Sequence, residues 1–196
     1  MNLGFLSETV ILIDKDFLQE EINQTLNFYK TLYPDRIFDK ISLTTLLHRI
    51  ALDARVHEPE RKVDVIFAYT LSKPTLDLEY NLPINMLFDI NDDGINIETE
   101  IGVFNVRAFF AESNESCSSH YLNLLKKINH NSQVSRIVMV ADNTLLNYEL
   151  KTMYKEEEKS LFLLKRYHNT EIDVPIRYIK IDYSIALSLG LSITEI

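Results

Sequence analysis

Three short, continuous apolar runs constrain this chain more than any other feature: Val10-Ile11-Leu12-Ile13-Asp14, Val63 to Tyr69, and Arg136 to Ala141. They are rich in β-branched residues and do not alternate with polar ones. Strands of that kind are covered on both faces and belong to parallel sheets. Asp64 is the one charged residue inside the second run. Between the runs the apolar period becomes helical. Phe17, Leu18, Ile22, Leu26 and Tyr29 follow Asp16, which reads as a helix cap, and Pro34 lies past the end. Glu20 and Glu21 fall in the early turns, where the helix dipole favours them.

A second helix starts near Ser42, with Leu43, Leu46, Leu47, Ile50 and Leu52 as its buried stripe, and is broken by Glu58-Pro59-Glu60. A third is expected over Ser116 to Ile128 and a fourth from about Thr144 to Glu157. Leu161 to Leu164 and Ile176 to Ile181 read as strands. Asp182 then caps a short helix, Tyr183 to Leu189, closed by Gly190. In the middle the period is two: Ile84, Met86, Phe88 and Ile90 on one side of Asn91-Asp92-Asp93-Gly94, and Ile95, Ile97, Thr99, Ile101 and Val103 on the other. That is a β-hairpin pattern, pairing Ile90 with Ile95 and Phe88 with Ile97, with the second strand running on to Phe110.

Strands alternating with helices give an α/β fold: a mostly parallel central sheet flanked by helices, Rossmann-like in layout, with an inserted β-hairpin near 84–110. The length of 196 residues suits one domain, 1–196, and the 5 prolines and 4 glycines leave no linker to divide it. A single cysteine, Cys117, excludes an intramolecular disulfide and fits a reducing compartment. Met1 to Leu6 has no basic, apolar leader pattern, and no stretch approaches the ~20 apolar residues of a membrane span. The expectation is a soluble, cytoplasmic protein.

Charge narrows the function classes. The formal net charge of -9 is the wrong sign for coating nucleic acid through its phosphates. The densest basic stretch, His48-Arg49, Arg55, His57 and Arg61-Lys62, is diluted by Asp53, Glu58 and Glu60 and reads as a solvated helix end and loop. No GxGxxG or Walker loop can be drawn, which argues against a dinucleotide enzyme or P-loop ATPase. No cofactor is implied by these motifs, and the five histidines show no metal-ligand spacing. Asp89, Asn91, Asp93, Gly94 and Glu100 satisfy a calcium-loop pattern. The period-two flanks are wrong for the helices such a loop requires, so these residues are assigned to the hairpin. Cys117 and His120, three apart on a helix, read as a packed cysteine and an exposed histidine; a nucleophile pair also needs an orienting group and an oxyanion site.

What remains is positional. Ligand sites in parallel sheets lie outside the carboxyl ends of the strands. Asp14, Asp142 and Asp182 each end a predicted strand, with Asp16 just beyond the first. If the strands are neighbours, these carboxylates can converge on one Mg2+ or Mn2+, which polarises a phosphodiester and lowers the pKa of a bound water. The alternative is that each aspartate caps the helix after its strand.

The same residues resemble motifs of the PIN-like nucleases, in particular the NYN branch. Ile11-Leu12-Ile13-Asp14-Lys15-Asp16-Phe17 is similar to the first-strand motif, and Val138-Met139-Val140-Ala141-Asp142-Asn143-Thr144-Leu145 to a later strand end. The resemblance implies a PIN-like fold and metal-dependent RNA cleavage, with Asp14 and Asp142 as catalytic carboxylates and Asp14, Asp16, Asp142 and Asp182 as the metal set. Phe17 stands where the first motif has Asn, Thr144 where the later one has its second Asp, and Val140-Ala141 replaces Ser-Gly. Those departures imply a weakened or lost metal site.

Two functions follow. The first is a non-catalytic, degenerate PIN-like interaction module, supported by the acidic charge and by ten tyrosines and ten phenylalanines available for interfaces. Its partner is another protein or a second copy, with the 84–110 hairpin as a possible pairing edge. The second is a divalent-metal ribonuclease using Asp14 and Asp142 with Mg2+ or Mn2+, whose partner is RNA.

Overall fold

A computed structural model describes residues 3–56, 62–69, 94–111, 116–142, 146, 150–151, 159–165 and 176–196. The elements follow as β1 (Thr9–Asp14), α1 (Lys15–Leu32), α2 (Leu43–Asp53), β2 (Lys62–Tyr69), β3 (Ile95–Thr99), β4 (Gly102–Phe110), α3 (Cys117–Asn129), β5 (Arg136–Val140), β6 (Ser160–Lys165), β7 (Arg177–Lys180) and α4 (Ile181–Ser188). The strands form one sheet in the order β3-β4-β2-β1-β5-β6-β7. Every neighbouring pair is parallel except β3 with β4. The mostly parallel α/β architecture is therefore present.

The three apolar runs became the three central strands. β1 is buried at all six residues, because β2 and β5 flank it and helices cover both faces. Ile11, Ile13, Val65, Phe67, Val138 and Val140 face α1, α2 and α4. Val10, Leu12, Ile66, Ala68, Ile137 and Met139 face α3. Leu146 and Leu150, described residues of the expected fourth helix, are helical and join the α3 side; most of that helix lies outside the described residues.

Helix starts follow their caps. Ser42 and Ser116 accept the backbone N–H groups of Thr45 and Ser119, as their positions predict. Two starts differ from expectation. α1 is capped by Asp14 rather than Asp16: the helix begins in the residue after β1 ends, so Asp16 is already in its first turn. α4 begins at Ile181, not Tyr183, so Asp182 is a first-turn residue and not the cap. Gly190, just past α4, has φ +82, which terminates the helix at low cost only for glycine.

A hairpin is present within the expected 84–110 span as β3 and β4, and it turns at Glu100-Ile101, where one strand running on to Phe110 was expected. Of the expected turn Asn91 to Gly94, only Gly94 is among the described residues. Ile95 pairs with Val106, Ile97 with Phe104 and Thr99 with Gly102. The Thr99 hydroxyl donates to the Gly102 carbonyl (2.9 Å) and accepts from the Ile101 N–H (3.3 Å), tying off the two-residue loop. The expected partners Ile84 to Ile90 lie outside the described residues. The last part of the calcium-loop pattern is strand β3, not an outgoing helix. Among the described residues no helix is long and apolar enough to cross a membrane.

Candidate functional site

The chain leaves β1 for β2 through α1 and α2 on one face, and reaches β5, on the other side of β1, through α3 on the opposite face. β1 and β5 therefore flank the point where the connections reverse, the position at which sheets of this kind form a ligand crevice outside the strands' carboxyl ends. Ile13 pairs with Val140, which brings Asp14 level with Ala141 and leaves Asp142 one residue beyond. The backbones of Asp14 and Asp142 are thus roughly 6 Å apart, from strand spacing and rise. The strand ends that carry these two residues are therefore neighbours.

The strand that leads to Asp182 is not a neighbour of β1. β7 is the third strand from β1, a lateral separation of roughly 14 Å. The Asp182 charge instead acts on Tyr29, whose hydroxyl is raised first by burial and then by that carboxylate. Among the described residues no group of three or more His, Cys, Asp or Glu side chains is arranged to hold a metal ion.

Asp14 is 5% exposed, and its Oδ1 accepts the N–H groups of Asp16 (3.0 Å) and Phe17 (3.1 Å). The Cys117 thiol, from the first turn of α3, donates to the same oxygen at 3.6 Å. Cys117 is therefore engaged with a carboxylate. His120 is buried rather than exposed, and its Nε2 bonds to the Phe109 carbonyl (2.9 Å), so it is turned to β4 and not to Cys117. Asp142, by contrast, is exposed.

Two residues that no sequence motif singles out, Lys15 and Tyr69, lie at the carboxyl ends of the neighbouring strands β1 and β2. The Lys15 side chain is only 5% exposed; its Nζ pairs with Asp16 Oδ1 at 2.9 Å and lies 4.9 Å from the centre of the Tyr69 ring at the end of β2. Burial, and then the Asp16 charge, push the Tyr69 hydroxyl well up. The arrangement recurs along the same edge: Lys165, buried at the end of β6, holds its Nζ 4.0 Å over the Tyr178 ring, and burial lowers its pKa. Each lysine ends or follows a strand, and only the sheet order sets an aromatic ring of the neighbouring strand beside it.

Burial is the largest influence on Asp14 and raises its carboxyl; the Phe17 N–H opposes it and the Asp16 charge adds to it. A carboxyl raised on folding binds protons more readily in the native state. Its contribution to stability is full below the ordinary carboxylate range and is lost as pH rises through the raised value. Asparagine caps a helix as well as aspartate and does not ionise. Asp14→Asn is therefore expected to melt at or above the wild-type temperature at pH 7, with a flatter pH dependence from about pH 4 upward. Melting curves across that range test it; a lower melting point at pH 7 would mean that the ionised carboxylate is itself stabilising.

No curated protein matches the chain. A family model does match it, over residues 5–196. With nearly the whole length covered, the chain belongs to the family of unknown function DUF6621.

Proposed function

We propose that this chain is a PIN-like module that acts by binding, and that its crevice does not run metal-dependent chemistry. One observation carries this reading: the positive charge beside Asp14 and Asp16 is already supplied by the protein. Lys15 Nζ sits on Asp16 Oδ1 behind a buried stem, and Asp14 Oδ1 is occupied by the first turn of α1. A divalent ion needs several convergent oxygens, and a lysine ammonium among them opposes its charge. Asp182 is too far off to make up the set. The residues present therefore do not fit the metal that the resemblance implies.

The ribonuclease reading keeps one specific support, the adjacency of Asp14 and Asp142 on parallel neighbouring strands. Thermal melting separates the two. The binding module is expected to show a change of less than about 1 °C on adding millimolar Mn2+, since only a ligand that binds the native state raises its stability. A rise of several degrees that disappears in Asp142→Asn would favour the ribonuclease instead.

A further inference from the structure

Six large apolar residues are exposed among the described residues, and five of them fall in two segments that the fold ties together. Phe28 (59%), Leu32 (52%) and Ile37 (94%) lie at and beyond the end of α1; Ile193 (74%) and Ile196 (42%) lie beyond α4. The Tyr33 hydroxyl donates to the Glu195 carbonyl (3.2 Å), Arg36 pairs with the Glu195 carboxylate, and the Arg36 Nη2 donates to the Gly190 carbonyl (2.6 Å). These bonds hold the two segments side by side, so their exposed side chains lie on adjoining stretches of one surface. Scattered single apolar residues need no explanation, but a contiguous group marks an interaction surface.

We infer that the patch is where two copies of this chain pair about a twofold axis. Charge identifies the occupant. Around the patch, Lys30, Arg36 and Lys40 balance Asp35, Asp39 and Glu195, three of each sign, in a chain whose net charge is -9. Two such chains repel over most of their surface, and this locally neutral area lets them approach. A twofold contact also requires one surface to complement itself, which a rim carrying both signs in equal number does. The outward stripe of α1 towards its end is uncharged as well: Asn27, Phe28, Thr31 and Leu32 face solvent there. Depletion of charge at the centre and charged groups at the rim is the composition of an interface core. An acidic or basic foreign partner would call for a patch of one sign.

The surface lies at the far end of α1 from the crevice, about 27 Å along its 18 residues. Pairing here leaves the crevice open, and the two proposals stand or fall separately. Sedimentation equilibrium of the full chain from 1 to 100 µM at physiological salt is the test. The wild type is expected to be a dimer, and Phe28→Glu combined with Ile37→Glu a folded monomer with an unchanged circular dichroism spectrum, since both side chains are exposed. Leu32→Arg alone is expected to weaken the dimer at least tenfold. A wild-type monomer at 100 µM overturns the inference. So does a dimer that survives the double substitution, which would put the contact elsewhere, for instance along the β3 edge.

Discussion

Arg107→Ala is expected to destabilise the protein by about 3–5 kcal/mol, the usual cost of stranding one member of a buried ion pair. Arg107 on β4 and Asp64 on β2 are both buried, and Nη2 donates to Asp64 Oδ1 at 2.7 Å. The pair also fastens the start of the chain: Arg107 Nη1 donates to the Leu3 carbonyl (2.6 Å), and Asp64 Oδ2 accepts the Ser7 N–H (2.6 Å). Removing the guanidinium leaves a buried carboxylate without its cation and a buried carbonyl without its donor. For a chain of this length the melting temperature should fall by roughly 10 °C. Asp64→Leu with Arg107→Met, which removes both charges, should recover most of the loss, because apolar replacements of a buried pair are often neutral. Chemical denaturation of the three variants decides the matter; a double variant no more stable than Arg107→Ala would mean that packing, not charge, dominates there.

Tyr121→Ala should cost a similar amount, about 3–5 kcal/mol, as large-to-small changes of core aromatics do. Tyr121 is fully buried on α3, packs against the β1 and β5 side of the sheet, and donates its hydroxyl to the Leu12 carbonyl at 3.2 Å. Burial, followed by the Asp14 charge, holds that hydroxyl far above its ordinary value. It stays protonated and keeps donating at any pH the fold survives. Tyr121→Phe keeps the volume and removes only the hydrogen bond, so it should cost about 1 kcal/mol. If the phenylalanine variant loses as much as the alanine one in urea titration, the hydrogen bond rather than the ring is what anchors α3 over β1.

The difference between expectation and structure in the hairpin is instructive. Ile95, Ile97 and Ile101 are odd-numbered and pack on the α1 side, whereas Phe104 and Val106 are even-numbered and pack on the same side. One unbroken strand cannot present both sets to one face, since side chains alternate strictly. The change of parity between Ile101 and Phe104 therefore signals a turn, and Glu100-Ile101 provides it. Of the turn expected at Asn91 to Gly94, only Gly94 is among the described residues. Gly94 does need its glycine, for two reasons: its φ is +73, and a Cβ there would come within 2.6 Å of Arg107 Cγ.

At the site, the sequence located Asp14 and Asp142 but misjudged their company. Local pattern places each carboxylate at a strand end, because the apolar run stops there. It cannot say which strand ends are neighbours. Asp142 belongs beside Asp14 and Asp182 does not, a consequence of β5 joining β1 while β7 sits at the far margin. Lys15 and Tyr69 are 54 positions apart in the chain and meet only because β2 pairs with β1.

The sequence by itself determined the alternation of buried strands and amphipathic helices, hence a parallel sheet covered on both faces, because apolar periodicity is a local property that burial reads directly. Tertiary structure alone decided the strand order, the partner of Asp64, and the lysine set against the carboxylates. Those depend on which segments lie side by side, and pairing over long separations is chosen by the packing of the whole chain.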